Sequence, residues 1–420
     1  MDCDRTTFKI VQGCLLTIYL CTWATIHPQI PRTKRPVRNA LEKLFFSVAV
    51  IIIPEIMLSY AFMDWFQARE SIRLVRKWAD DCRGESHCIA KLHIFSQESN
   101  AERNPSLRHE FDFVDQWTMT HAMFLDRQGF RFVIDGKLQS RNSDEPMGTW
   151  QLPKASIVLY FAQCGIVSLP DLKEAIDDRS NADGLSKAIV CIQAIWFLVK
   201  CVARVHSHLP ITELEVSTVA FIIICVTCYI FWWNMPLDVR THIDIHITSA
   251  QANEVEKWNT DESALPRQSF YPKNFDPWIR IMLSLFGVIF GSLHCLAWDI
   301  HFPTWIEQLL WRISAICIAV IPPIGTLFYH QLTEHSAAQS LWPFARFFFS
   351  RDSHYYKSYH TMKLGWKQYL DAVSTIVMSL LAILYVAARL TLIVEAFTCL
   401  RSMPDGVHEG VNWTTYIPHL

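Results

Sequence analysis

Four ionisable residues stand within or at the edge of stretches that are otherwise apolar, and a charge in such surroundings demands a reason: Glu55, His294, Asp299 and Arg389. Glu55 directly follows Pro54, whose ring cannot donate to the helical ladder and so frees a backbone carbonyl for water or a partner. A carboxyl there can hold its proton and work as a general acid. It can equally pair with a buried arginine and only tie helices together. Arg389 has Glu395 six residues on, which is not a same-face spacing, so its partner is expected on another helix, either Glu55 or Asp299. His294 follows Gly287-x-x-x-Gly291 on nearly the same face, with Asp299 and His301 just beyond. That group could hold a metal ion or relay protons, but its spacing fits no standard ligand signature. A lone histidine bonded inside a packed core is the plainer reading.

These residues need elements to hold them, and the elements are apolar. Seven runs are long enough, or nearly so, to cross a bilayer, for which about 20 apolar residues are needed. The expected fold is an all-α membrane protein, a bundle of about seven transmembrane helices with a small mixed polar lobe between helices two and three. Residues 1–63 hold helices one and two, 185–234 helices three and four, 276–329 helices five and six, and 366–398 helix seven. Between them lie the lobe (64–184), a polar loop (235–275) and a basic, aromatic loop (330–365), and a tail (399–420) follows. Helix two is expected over about Leu41 to Met63, with Pro54 inside it. Helix four opens with Thr212-Glu213-Leu214-Glu215, a capping box. Helix six carries Pro322-Pro323 and should kink there. Gly287 and Gly291 allow close approach by another helix. Lys200 and Arg204, four apart, are expected to snorkel to headgroups.

Composition agrees with that class. The chain is 51% hydrophobic and 19% charged, against about 25% charged in soluble proteins. The net charge of -2 gives no case for a nucleic-acid partner. The partners expected are the lipid bilayer, a lipophilic small molecule, and a soluble protein at the 64–184 lobe. Thirteen cysteines are scattered, mostly in apolar runs, where they read as soft packing residues. Cys82, His87, Cys88 and His93 have zinc-type ligands at spacings that match no usual zinc pattern. No cofactor can be named: phosphate-loop, nucleophile-elbow and His-Glu-x-x-His signatures are all absent. The loop before helix seven is basic and the loop between helices five and six has no lysine or arginine, which puts the former in the cytosol. With seven spans the C-terminal tail is then lumenal, where Asn412-Trp413-Thr414 is a glycosylation acceptor. Arg32, Lys34, Arg35 and Arg38 would face the lumen too, against the same rule, unless helix one does not span.

Several stretches resemble an uncharacterised family of fungal multi-pass integral membrane proteins. They include Cys21-Thr22-Trp23-Ala24-Thr25-Ile26-His27-Pro28, Leu209-Pro210-Ile211-Thr212-Glu213-Leu214-Glu215, Phe231-Trp232-Trp233-Asn234 and Ala388-Arg389-Leu390. Met235 stands where a lysine is expected, and Gly129 precedes Phe130 without the usual second glycine. The resemblance implies a fungal protein of the endomembrane system, in the endoplasmic reticulum or plasma membrane. It brings no catalytic residues.

The function expected is a membrane-embedded enzyme or accessory protein acting on a lipophilic intermediate of fungal specialised metabolism, with Glu55, His294, Asp299 and Arg389 as its candidate residues. The alternatives are a transporter or channel, suggested by the prolines inside helices two and six, and a receptor-like or scaffold protein.

Overall fold

The computed structural model describes residues 5–26, 36–84, 115–127, 129–134, 158, 167–180, 183–236, 239, 241–251, 276–333 and 366–411. The Cys82–His93 group, Asn412 and the basic aromatic loop fall outside these residues or have undescribed side chains. Among them the chain is almost entirely helical. In order come α1 (Thr7–Thr25), α2 (Pro36–Ile52), α3 (Pro54–Gly84), α4 (Met119–Asp126), β1 (Phe130–Ile134), α5 (Leu169–Arg179), α6 (Asp183–His206), α7 (Glu213–Phe231), β2 (Ile243–Ile247), α8 (Asp276–His294), α9 (Trp305–Thr333) and α10 (Trp366–Thr398).

Six of the seven apolar runs fall into three groups; the first, α1, is not apolar enough over its length to count as a span by itself. Four helical stretches are long and apolar enough to cross a membrane: Ala188–His206, Glu213–Phe231, Trp305–Leu327 and Ile376–Arg401. The apolar part of α8, Ile281–Ala297, is shorter, and α2 with α3 passes only as a bent pair. Much of the apolar surface faces outward. Ile192, Ile195 and Val202 on α6 and Leu380 and Ile383 on α10 are each at least 60% exposed. Such contiguous surface belongs in hydrocarbon or an interface rather than in water.

The expected single helix two is not one helix. It breaks at Ile53, and the axes of α2 and α3 differ by 111°. The cause is Pro54: it lacks an N–H for the α2 ladder, and its ring pushes the preceding Ile53 out of helical geometry. The same proline suits the first position of a new helix, which then runs to Gly84.

Other local expectations hold. Thr212 caps α7, accepting from the Glu215 amide at 3.3 Å while Glu215 accepts from the Thr212 amide at 3.1 Å. Gly287 and Gly291 face α9, where an added Cβ would lie 2.7 Å from the Pro322 ring and 2.5 Å from the Ala319 nitrogen respectively. The prolines expected to kink helix six do not end it: α9 runs from Trp305 to Thr333 through Pro322 and Pro323.

Two ends of the bundle are distinguishable. At one, which carries the small lobe, Trp232 donates from Nε1 to Asp64 at 3.1 Å and Arg127 pairs with Asp64 at 2.6 Å. The lobe itself has a two-stranded parallel sheet, β1 with β2, joining chain segments more than a hundred residues apart. Arg131 and Asp244 pair across it at 2.7 Å, and the Arg131 guanidinium holds the Asp244 carboxyl below its usual range. Gly129 sits where a Cβ would meet the Phe124 ring at 2.3 Å, so the turn into β1 has no room for another residue. At the other end the first and last described segments meet, Arg5 donating to the Val407 carbonyl at 3.0 Å.

Candidate functional site

The break between α2 and α3 leaves two helix ends facing one another inside the bundle, each with its own electrostatics. The last turn of α2 presents carbonyls that the interrupted ladder no longer serves, and the first turn of α3 presents amides. A cation suits the first and an anion the second. The sequence supplies both. Arg389 of α10 donates from Nε to the Ile52 carbonyl at 2.7 Å, and Glu55 lies in the first turn of α3. Arg389 Nη2 approaches Glu55 Oε2 at 3.5 Å, a loose ion pair that is nonetheless almost wholly buried, with side chains 4% and 0% exposed.

Aromatic rings enclose the pair. The Arg389 guanidinium sits 3.9 Å from the centroid of Phe290 and 6.0 Å from that of Tyr385. Phe290 meets Phe221 edge to face at 5.6 Å. This packing desolvates the arginine while returning part of the lost hydration as cation–π attraction. One polar atom is left over. Glu55 Oε1 is buried and meets no partner in hydrogen-bond geometry among the described residues, although the Tyr385 hydroxyl interacts with the same carboxyl.

His294 lies one ring away from this centre. Its imidazole is 4.5 Å from the Phe290 centroid, and Nδ1 lies 2.9 Å from the Phe290 carbonyl. A carbonyl can only accept, so Nδ1 carries the hydrogen and the ring is oriented by its own helix. The His294 carbonyl in turn accepts from Trp311 Nε1 at 3.1 Å. This is the packed-core histidine that the sequence favoured over a relay.

Asp299 does not join. Its side chain is 90% exposed, and it pairs with Arg312 at 3.2 Å at the far end of α8. The four candidates therefore separate into a pair (Glu55, Arg389), a neighbour (His294) and a surface residue (Asp299). The reason lies in α8, which ends at His294 and gives way to a short 3₁₀ turn, Cys295–Ala297, that carries the chain out of the bundle. Among the described residues no three His, Cys, Asp or Glu side chains are placed to hold a metal ion.

A second polar cluster escaped the sequence reading. Arg204 does not snorkel; it is 3% exposed and donates to the carbonyls of Pro210 at 2.8 Å, Glu409 at 2.7 Å, Val407 at 3.1 Å and Gly406 at 3.2 Å. Arg5 adds a bond to the Val407 carbonyl at 3.0 Å and an ion pair with Glu215. The signal that could have found it is Asp405-Gly406, a turn sequence that leaves backbone carbonyls without ladder partners; Gly406 adopts a φ of 86°. Lys200, by contrast, is exposed, with its ammonium 5.2 Å from the Trp196 ring.

Two stretches, residues 2–256 and 276–420, match the Family of unknown function (DUF8562). No curated protein and no solved structure matches the chain. The matched stretches include both α2–α3, with Glu55, and α10, with Arg389. The chain belongs to the family DUF8562.

Proposed function

We propose that the protein is a multi-pass endomembrane protein that handles a lipophilic small molecule at Glu55, as a membrane-embedded enzyme or as an accessory to one. The observation that carries this reading is Glu55 Oε1, fully buried and without a partner in hydrogen-bond geometry beside a paired Oε2. A carboxylate kept only to tie helices would be expected to satisfy both oxygens. Leaving a buried polar atom unmet costs about 1–3 kcal/mol, and more for a charged group. Use of the atom by a site is one physical reason for such a cost to be retained.

In this reading Glu55 exchanges a proton with the bound molecule through Oε1. Arg389 holds Oε2 and sets the carboxyl's orientation, Phe290 supplies an apolar wall, and the Tyr385 hydroxyl stands beside the carboxyl. His294 supports Phe290 from behind, and Asp299 has no part in the site. The substrate class proposed is a lipophilic intermediate of fungal specialised metabolism. Organic extracts of cells producing the wild type or Glu55→Gln are compared by mass spectrometry at equal protein level. A shifted product profile is expected; identical profiles would defeat the proposal.

A second reading, a transporter, is favoured by the helix break itself, since discontinuous helices commonly frame solute sites. Uptake by reconstituted vesicles, compared with empty vesicles, separates the two.

A further inference from the structure

We infer that α2 and α3 form a re-entrant hairpin. It enters the bilayer from the lobe side, turns at Ile53–Pro54 near the centre and leaves by the same face. The chain then crosses six times, with the lobe face cytosolic and both termini on the opposite face. This stands independently of what Glu55 does.

The first argument is parity. Helices α1 and α7 lie side by side and run in the same direction: Arg5 meets Glu215, Cys14 lies by Thr218, and Cys21 lies by Cys225. Helix α1 therefore traverses the same depth as α7, which is apolar and long enough to cross. At the end where α1 begins, Arg5 and Arg204 both grasp carbonyls within residues 406–409, just beyond α10. Both chain ends thus lie at one end of the bundle. An even number of crossings follows, and seven is odd.

The second argument is depth. Arg389 is at the middle of the apolar stretch Ile376–Arg401, and Phe221 is near the middle of Glu213–Phe231. Both are tied to the apex, Arg389 through Ile52 and Glu55, Phe221 through Phe290. The apex is therefore at mid-bundle. Each arm then returns to the lobe end. On α2, Lys43 lies 4.6 Å from the ring of Trp23, near the close of α1; on α3, Asp64 meets Trp232 at the close of α7. From Lys43 to Ile52, and from Glu55 to Asp64, is nine residues, or about 14 Å of helix. That is half of a hydrocarbon core of about 30 Å. Two arms of half-depth that start and finish at the same end make a hairpin, and the 111° bend is its turn.

The third argument is the backbone. A non-helical residue at bilayer depth is tolerated only when protein or water serves its peptide groups. Here the Ile53 amide bonds the Ala49 carbonyl at 2.8 Å, and Arg389 takes the Ile52 carbonyl.

The fourth argument is charge. The connections at the terminal end, 207–212 and 298–304, contain no lysine or arginine. Those joining helix ends at the lobe end include Arg32, Lys34 and Arg35 before α2 and Arg346, Arg351, Lys357 and Lys363 before α10. On α3 beyond Asp64, Arg69, Arg73, Arg76 and Lys77 are exposed. All three groups fall on one side, as the positive-inside bias requires. With seven crossings the first group would face the wrong way.

The test uses three versions of the full chain, each with one protease-recognition sequence: at the N-terminus, after Pro31, or at the C-terminus. Protease is added to sealed microsomes, and again after detergent to show that each sequence can be cut. Cleavage only after Pro31, with both termini protected, is expected. Cleavage at the N-terminus with a protected C-terminus would mean an odd number of crossings. Protection at all three would mean that α2–α3 spans and α1 does not. Either result overturns the inference. Glycosylation acceptors at the same three positions give a second readout, in which modification is expected at the two termini alone.

Discussion

Arg389 donates from Nε to the carbonyl of Ile52 at 2.7 Å while its Nη2 faces Glu55 across the gap between two helices. One side chain thus closes the end of α2 and neutralises the start of α3. Removing it strips a helix end of its donor and leaves Glu55 as a buried charge with nothing opposite. Breaking a buried pair from one side costs about 3–5 kcal/mol. Arg389→Met should therefore lower the unfolding midpoint of the detergent-solubilised protein sharply. Glu55→Gln should cost less, because the stranded Arg389 keeps the Ile52 carbonyl and the Phe290 ring and the amide oxygen can still accept from it. The double variant should fall short of the sum of the two singles, the sign of direct coupling. Additive losses would show that the 3.5 Å contact carries no energy.

Arg204 offers a different kind of test, because its partners are all backbone. It serves carbonyls at Pro210, Gly406, Val407 and Glu409. A hydrogen bond to a charged group contributes about 1.5–3 kcal/mol. Arg204→Gln should free the 404–409 segment first, so limited proteolysis should trim the C-terminus before any cut appears in the helices. Arg204→Lys should rescue little, since one ammonium cannot reach carbonyls spread around a planar guanidinium. Equal protease resistance of Arg204→Gln and the wild type would contradict the clamp.

The helices were legible because their signals are local. Thr212 and Glu215 sit at capping distance in sequence, and each apolar run carries its own length. Pro54 was legible as an interruption, but not its size, since a proline can kink a helix or end it depending on what stabilises the exposed carbonyls. Here Arg389 does, from 337 residues away. The pairing of Arg389 with Glu55 rather than Asp299 was likewise open, because it depends on where α8 stops. The parallel partner of β1 lies beyond three helices among the described residues, and five residues of alternating pattern do not name a partner. Arg204 was misjudged because a basic residue near a helix end looks the same whether headgroups or carbonyls receive it.

The close approach of α8 to α9 makes two opposed effects measurable. Gly→Ala in a helix gains about 1 kcal/mol in propensity, while overpacking costs about 1–3 kcal/mol. At Gly291 the obstacle is the backbone nitrogen of Ala319, at 2.5 Å, which cannot move aside. Overlap should win, and Gly291→Ala should be destabilising. At Gly13 of α1 nothing lies within 4 Å, so Gly13→Ala should be neutral or stabilising. Thermal unfolding of both variants in the same detergent checks the contrast; a stabilised Gly291→Ala would mean that the helices can separate at no cost.

The lobe should respond to mild acid through His121. Burial pushes its imidazole below the ordinary 6.5, and the nearby Lys173 acts in the same direction, while the bond from Nε2 to the Leu169 carbonyl at 2.9 Å and the charge of Asp177 oppose the shift. A histidine held neutral binds fewer protons folded than unfolded. Stability is therefore complete above about 6.5 and falls as the pH drops from there towards the lowered folded value. Because His121 ties α4 to α5 and stacks on Trp117 at 5.3 Å, the loss should be local. Amide hydrogen exchange should quicken in α4 and α5 as the pH falls below about 6.5, after correction for intrinsic rates, while α7 keeps its protection. In His121→Gln that pH dependence should vanish; its persistence would assign the acid response to another group.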